Sequence, residues 1–249
     1  MKKIFSIITF VALFFSLSAQ NNFKGIVKYK VESSGEVAFQ VPAEAANAEI
    51  LVNGDRLFTK SAIFLSSPFS ECVLVNNLTV THCENYGQLL AYLRGNGSEF
   101  TYQGDGKILI KRTYTQGDID SITIPDTEPG HFYLEYVEGE TREIAGIAAK
   151  KVIRHAYDSD GNDHPLEMWY TDEMGPQYNF LLLGIKGMPL MCKQDMGEGK
   201  AVTYTATEIV KGKVKDADFL LPEGYETLSP EDLQTFGTEL QEELELLQE

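Results

Sequence analysis

Along residues 23–32, FKGIVKYKVE, apolar and polar side chains alternate, with Val27, Tyr29 and Val31 against Lys28 and Lys30. A period of two marks a strand with one covered and one wet face. Ile108 and Ile110 repeat the pattern against Lys107, Leu109 and Lys111. Turn signals separate such arms. Asn53-Gly54 divides AEILVNGDRLFTK, and Asn-Gly is a strong hairpin cue because both residues tolerate positive φ. Further turns are predicted around Gly104, Asp105 and Gly106 in EFTYQGDGKILIKRTY, in DSDGND, near residues 197–199, and at Asn76-Asn77 in VLVNNLTVTH. The pattern gives roughly ten or eleven strands, each joined to its neighbour, so the fold is predicted to be mainly β, an antiparallel meander. Its apolar face needs a cover: closure into a barrel, a second sheet or a lodged helix.

Helical periodicity is confined to two places. NYGQLLAYLRG predicts a short helix over residues 88–94, stopped by Gly95. SPEDLQTFGTELQEELELLQE predicts a longer one, with Ser229 as N-cap, Pro230 in the first position and Asp232 at capping-box spacing. Leu233, Phe236, Leu240, Leu244 and Leu247 form its apolar seam. From Asp216 onward there are eleven acids and no base, so the helix end lacks the cations its dipole favours. Tertiary packing or a basic protein partner must supply the rest. The organisation expected is residues 1–19 as a signal peptide, 20–228 as one β domain and 229–249 as the acidic amphipathic helix.

Charge and ends narrow the class. Lys2 and Lys3, an apolar core and small residues up to Ala19 have the layout of a secretory signal peptide cleaved near Ala19. The expected product is exported, periplasmic or secreted, with no integral span in the mature chain. Loss of Lys2 and Lys3 takes the formal charge from −16 to −18, a surface that repels nucleic acid. Against this background residues 179–191, NFLLLGIKGMPLM, stand out: one charge, Lys186, in an apolar run broken by Gly184, Gly187 and Pro189.

Local chemistry is sparse. His82, His131, His155 and His164 make no HxH, HExxH or Cys/His spacing, so no metal site is expected. DSDGNDHPLE resembles a calcium loop only superficially, with Asp163 and Trp169 where the template wants Gly and Glu. No GxSxG elbow, Walker loop or GxGxxG follows a strand, and neither an enzyme nor a cofactor is expected. A two-residue turn at Asn76-Asn77 sets Cys72 opposite Thr81 rather than Cys83, and one bulge would bring the two cysteines together. Cys192 reads as a small buried hydrophobe. Phe58, Phe64, Tyr102, Tyr133, Trp169, Tyr178, Phe180 and Tyr204 are enough aromatic surface to line a pocket or to fill a core.

EIAGIAAKKVI, EMWYTDEM, FLLLGIKGMPLM, TATEIV and KDADFLLPEGYE follow one another in an order that resembles a family of exported proteins of unknown function allied to the GLPGLI proteins. KGIVKYKV and AEILVNGDRLFTK agree more loosely. That family is similar in fold to the lipoprotein carriers and receptors LolA and LolB. The resemblance implies a single curved antiparallel sheet forming a half-open barrel, with a short helix and the C-terminal helix. It also implies a non-enzymatic protein holding a lipid, acyl chain or lipidated partner, with Tyr29, Phe58, Trp169, Phe180 and Leu182 as the expected lining. Residues 179–191 would be two short apolar segments meeting at the Gly184 to Pro189 turn, in the barrel wall or rim. No catalytic set carries over. Two departures stand: the strong helix is terminal rather than an obvious lid, and the Cys many relatives place near Ala148 or Ala149 is absent. The alternative is a filled barrel acting as an envelope scaffold, docking a partner through its acidic helix.

Overall fold

The computed structural model describes residues 23–34, 46–65, 67–197 and 200–246. The predicted signal peptide and the turn at 198–199 lie outside the described residues. In chain order the elements are β1 (Lys24–Ser34), β2 (Asn47–Asn53), β3 (Arg56–Thr59), β4 (Ser70–Asn76), β5 (Thr79–Asn85), α1 (Gly87–Gly95), β6 (Lys107–Thr113) and α2 (Gln116–Ser121). There follow β7 (Phe132–Ile144), β8 (Ile147–Ala156), β9 (Leu166–Thr171), β10 (Tyr178–Asn179), β11 (Ile185–Lys186), β12 (Met188–Gly197), β13 (Lys200–Lys211) and α3 (Pro230–Leu246).

Eleven strands make one sheet in the order β6-β5-β4-β3-β2-β1-β13-β12-β9-β8-β7, and β10 pairs only with β11. The chain zigzags from the central β1 out to β6, crosses through residues 114–131 to the opposite edge at β7, and zigzags back until β13 pairs with β1. Strands β6 and β7 do not pair, so the barrel stays half-open. The crossing segment, which contains Pro125 and Pro129, carries α2, whose Thr115 and Asp118 form a reciprocal capping box.

Strand alternation sorts side chains to two faces. The inner face carries Val27, Tyr29, Val31, Ile50, Val52, Leu57, Val75 and Val152 in one buried cluster. Beside it, Ile108 of β6 packs with Leu90 and Leu93 of α1 and Phe236 and Leu240 of α3. The terminal helix is therefore part of the cover. Its cap forms as the sequence predicts, the Asp232 amide donating to Ser229 Oγ at 3.1 Å. On the outer face, Phe58, Cys72 and Cys83 lie beneath Val214 and Phe219, tied down by Arg56 donating to Asp216 at 2.5 Å.

Two predicted turns need correction. Residues 98–106 form a loop rather than a hairpin, because Phe100 is drawn into the α1/α3 cluster and Thr101 bonds Glu239 on α3. Arg94 adds hydrogen bonds to the carbonyls of Tyr102 at 2.6 Å and Gly104 at 3.2 Å. The β4–β5 turn falls one residue later than predicted, at Asn77-Leu78, where Asn77 takes φ +53°. That shift puts Cys72 directly opposite Cys83 with no bulge between them and the turn.

Both thiols are free and buried. Their mutual hydrogen bond, with burial, holds Cys83 protonated far above the ordinary thiol range. Directly opposed strand positions place Cβ atoms about 4.5–5.5 Å apart, a small closure short of a disulfide. Refolding in an oxidising glutathione buffer is expected to give an intact mass lower by two hydrogens and stability higher by roughly 2–3 kcal/mol. The same refolding of Cys83→Ser should show neither change.

Candidate functional site: a cavity between the inner face and an apolar plug

Residues 178–186 leave the sheet after β9 and return at β12 as the β10–β11 hairpin. Asn179 organises it. Fully buried, it accepts the Leu181 amide on Oδ1 at 3.1 Å and the Gly184 amide on its carbonyl at 2.9 Å. Its Nδ2 faces Met188 Sδ at 3.7 Å, so a polar side chain in an apolar site keeps its partners. Leu183 and Gly184 take φ of +62° and +72°, which bends the run so that Phe180 and Leu181 to Leu183 pack against the inner-face cluster. Phe180 stacks on Tyr114 of the crossing segment, ring centroids 3.8 Å apart. The apolar stretch 179–191 is thus a plug laid against the sheet, continued by β12 within it.

A cavity of about 780 Å³ lies against this plug. Leu181, Leu182 and Leu183 form one wall, Ile63 of the Ala62–Phe64 turn another, and Leu166, Arg154, Cys192 and Tyr204 of the sheet the rest. Asp163, His164 and Pro165, from the β8–β9 connection, complete it. Burial pushes the thiol of Cys192 and the phenol of Tyr204 up to about 12, so both are neutral at pH 7. Asp163 bonds His155 Nδ1 at 2.6 Å, and Glu135 bonds His155 Nε2 at 2.9 Å. Burial opposes the imidazolium there, but the two carboxylates outweigh it and raise the His155 pKa. His164 is held by Asp158 at 2.8 Å, and Asp158 also accepts the amides of Asp160 and Asn162, both at 2.9 Å. Those bonds explain the acidic DSDGND stretch as a turn that satisfies its own backbone.

The expected lining divides between the two faces. Leu182 lines the cavity. Tyr29 and Phe180 belong to the same inner core without bordering the space: Tyr29 donates its hydroxyl to Pro189 O at 2.7 Å and meets Phe64 edge-on at 5.1 Å. Phe58 lies on the outer face, and Trp169, though part of the buried cluster that holds Tyr29, does not border the cavity, contrary to their expected place in the lining. Phe58 alternates with inward Leu57 and joins the Cys72/Cys83 cluster. Trp169, between inward Met168 and Tyr170, donates to Glu167 at 2.8 Å and carries Arg142 at 5.5 Å from its ring centroid. Trp169 emission is therefore a poor reporter of the cavity. Sequence reading missed Arg154, Ile63 and Leu166; only the parity of Val152 and Arg154 in KKVIRHA pointed inward.

Among the described residues no group of three or more His, Cys, Asp or Glu side chains is arranged to hold a metal ion. Nor, among them, is any helix long and apolar enough to cross a membrane.

No protein-family model and no curated protein matches the sequence. Among solved structures the chain is similar to MucB in complex with MucA(peri), at 13% identity and a TM-score of 0.30, covering 87% of this chain and 60% of that one. It thus spans about six-tenths of the MucB chain. It is similar to the Mycobacterium tuberculosis lipoprotein LppX at 12% identity and a TM-score of 0.26, covering 85% of this chain and 100% of LppX. A LolA superfamily protein from Nitrosomonas europaea gives 11% identity and a TM-score of 0.29, with 81% and 91% covered. What the cavity binds is read from its own residues.

Proposed function

We propose that this is an exported, non-enzymatic binding protein that holds an acyl chain or similar apolar ligand between the plug and the inner face of its half-open barrel. The observation that carries the reading is the cavity of about 780 Å³ with Leu181 to Leu183, Leu166 and Ile63 in its walls. That volume suits a small-molecule ligand, for which pockets of about 300–1,000 Å³ are usual. The mechanism is equilibrium burial without a covalent step. Each buried methylene contributes roughly 0.8 kcal/mol, and a single myristoyl chain partitions with a constant of only about 10⁴ M⁻¹, so the tail alone implies binding near 0.1 mM. Tighter binding needs a polar anchor.

Two observations favour this over the filled scaffold with a docking helix. One is the cavity. The other is that α3 turns Phe236 and Leu240 inward against α1, which leaves Leu246 as the exposed large apolar side chain beside its exposed Glu231, Glu242 and Glu245, a narrow surface for docking. The leader-like residues 1–19 and the resemblance to GLPGLI-allied proteins support export and belong to the same proposal. Titration with the neutral probe N-phenyl-1-naphthylamine tests it: saturable fluorescence enhancement, displaced by dodecanoate, is expected. Enhancement that never saturates, or that dodecanoate does not reverse, would contradict the reading.

A further inference from the structure

One cation stands in the wall of the cavity. Arg154 sits on β8 opposite Leu134 of β7 and Leu166 of β9, on the inward parity shared with buried Val152. Its Nε is shut off from solvent and has no hydrogen-bond partner, and no carboxylate among the described residues forms an ion pair with its guanidinium. The contact it does make is with the Phe132 ring, 5.0 Å from the centroid. The carboxylate that shares the lining, Asp163, is committed to His155. Cys192 and Tyr204, its neutral neighbours in the lining, supply no charge.

A half-buried guanidinium with no carboxylate paired to it among the described residues is costly to keep, since burial disfavours the charged form and its Nε donor is left unmet. An apolar side chain of similar size would pack there at less cost. The cost is recovered when an oxyanion enters, because the planar fork matches two oxygens of a carboxylate or phosphate.

We propose that Arg154 is the anchor for an anionic headgroup, so that the cavity selects an amphiphile carrying a carboxylate or phosphate at the end of its acyl chain. This rests on the apolar-ligand reading above. Arg154 receives the headgroup while Leu181 to Leu183 and Leu166 cover the adjoining methylenes. A neutral lipid of the same length fills the apolar walls but leaves the guanidinium unpaired.

Displacement of N-phenyl-1-naphthylamine from the full-length mature protein tests this, with dodecanoate, dodecyl phosphate, 1-dodecanol and free inorganic phosphate as competitors. The wild type is expected to bind the two anionic amphiphiles about 10- to 100-fold more tightly than the alcohol, the range for a charge-assisted hydrogen-bonded contact. Free phosphate should displace nothing, since it has no tail. Arg154→Gln should abolish the preference, bringing dodecanoate and dodecyl phosphate to the affinity of 1-dodecanol in the same variant, and Arg154→Lys should restore part of it. Equal binding of dodecanoate and 1-dodecanol by the wild type overturns the anchor and leaves the apolar-ligand reading standing; so does a preference that survives in Arg154→Gln. Displacement by free phosphate alone overturns it too, as an anion site without a lipid. If the wild type binds neither the probe nor any amphiphile, the reading beneath falls with it. Should Arg154→Gln lose the alcohol as well, its cavity is not intact, and the wild-type ratio with Arg154→Lys decides.

Discussion

Gly187→Ala is expected to cost roughly 3–4 kcal/mol in urea unfolding and to weaken binding of an apolar probe at least about tenfold. Gly187 takes φ +64°, where a Cβ is strained, and the added carbon would lie 2.1 Å from the carbonyl oxygen of Thr171 and 2.9 Å from Asp172 Cα. Both obstacles are backbone, at the end of β9, and neither can rotate away. Relief requires the β10–β11 hairpin to move off the strand it follows, which carries the leucine wall out of register with Leu166 and Tyr204. Gly184→Ala is the internal comparison. Its φ of +72° is equally unfavourable, but the atoms a Cβ would meet are Ile122 Cδ1 at 2.6 Å and Phe180 Cε1 at 3.0 Å, ends of side chains that can shift. A loss of about 1–2 kcal/mol, mostly from the left-handed backbone, is expected there. Equal losses at the two glycines would mean that the plug is not held by close backbone contact with β9.

Phe236→Ala should be the other large effect, about 3–5 kcal/mol, the usual range for deleting a buried phenylalanine ring. The ring is buried between Tyr86 and Tyr102, which meet it edge-on at 5.3 and 5.1 Å, and beside Leu240. It joins three segments distant in sequence: the turn into α1, the loop 98–106 and α3. Polar bonds around it are few, the part-buried Ser98 to Glu243 at 2.6 Å and the exposed Thr101 to Glu239 at 3.0 Å among them. With so few polar substitutes, removing the ring should release α3 and uncover Leu90, Leu93 and Ile108. Urea denaturation with circular dichroism measures it: lost helicity before the sheet unfolds is expected. A variant within 1 kcal/mol of wild type would show that α3 contributes little to the cover, and would restore the docking-arm view of the acidic helix.

The fold was legible wherever one face is wet. In β1 the lysines mark the outside unambiguously, and Val27, Tyr29 and Val31 are buried as their alternation demands. The α3 cap was legible because Ser229, Pro230 and Asp232 act through local hydrogen bonds. Legibility fails where both faces are covered. Met168, Trp169 and Tyr170 are all buried, so their hydrophobicity does not say which way each points, and only the register with β8 and β12, which sets Trp169 opposite Lys151 and Met191, separates it from its two neighbours. Phe58 escaped for the same reason, since Val214 and Phe219 return from far along the chain to cover it. The GDG segment failed as a hairpin because its first arm found a helix pair, a tertiary contact that turn chemistry does not contain. Nothing local in the sequence marks Arg154 out among 21 lysines and arginines; that its Nε is buried without a hydrogen-bond partner is visible only in three dimensions.

The central claim, that the space between plug and sheet takes an apolar ligand, is tested most directly by native mass spectrometry of the protein from Gln20 onward incubated with dodecanoate. A one-to-one adduct that is removed by organic extraction, and that Gly187→Ala fails to retain, is the expected result. An unchanged apo mass at every ligand ratio, from protein whose melting shows it folded, would contradict the claim and leave the cavity without its proposed occupant.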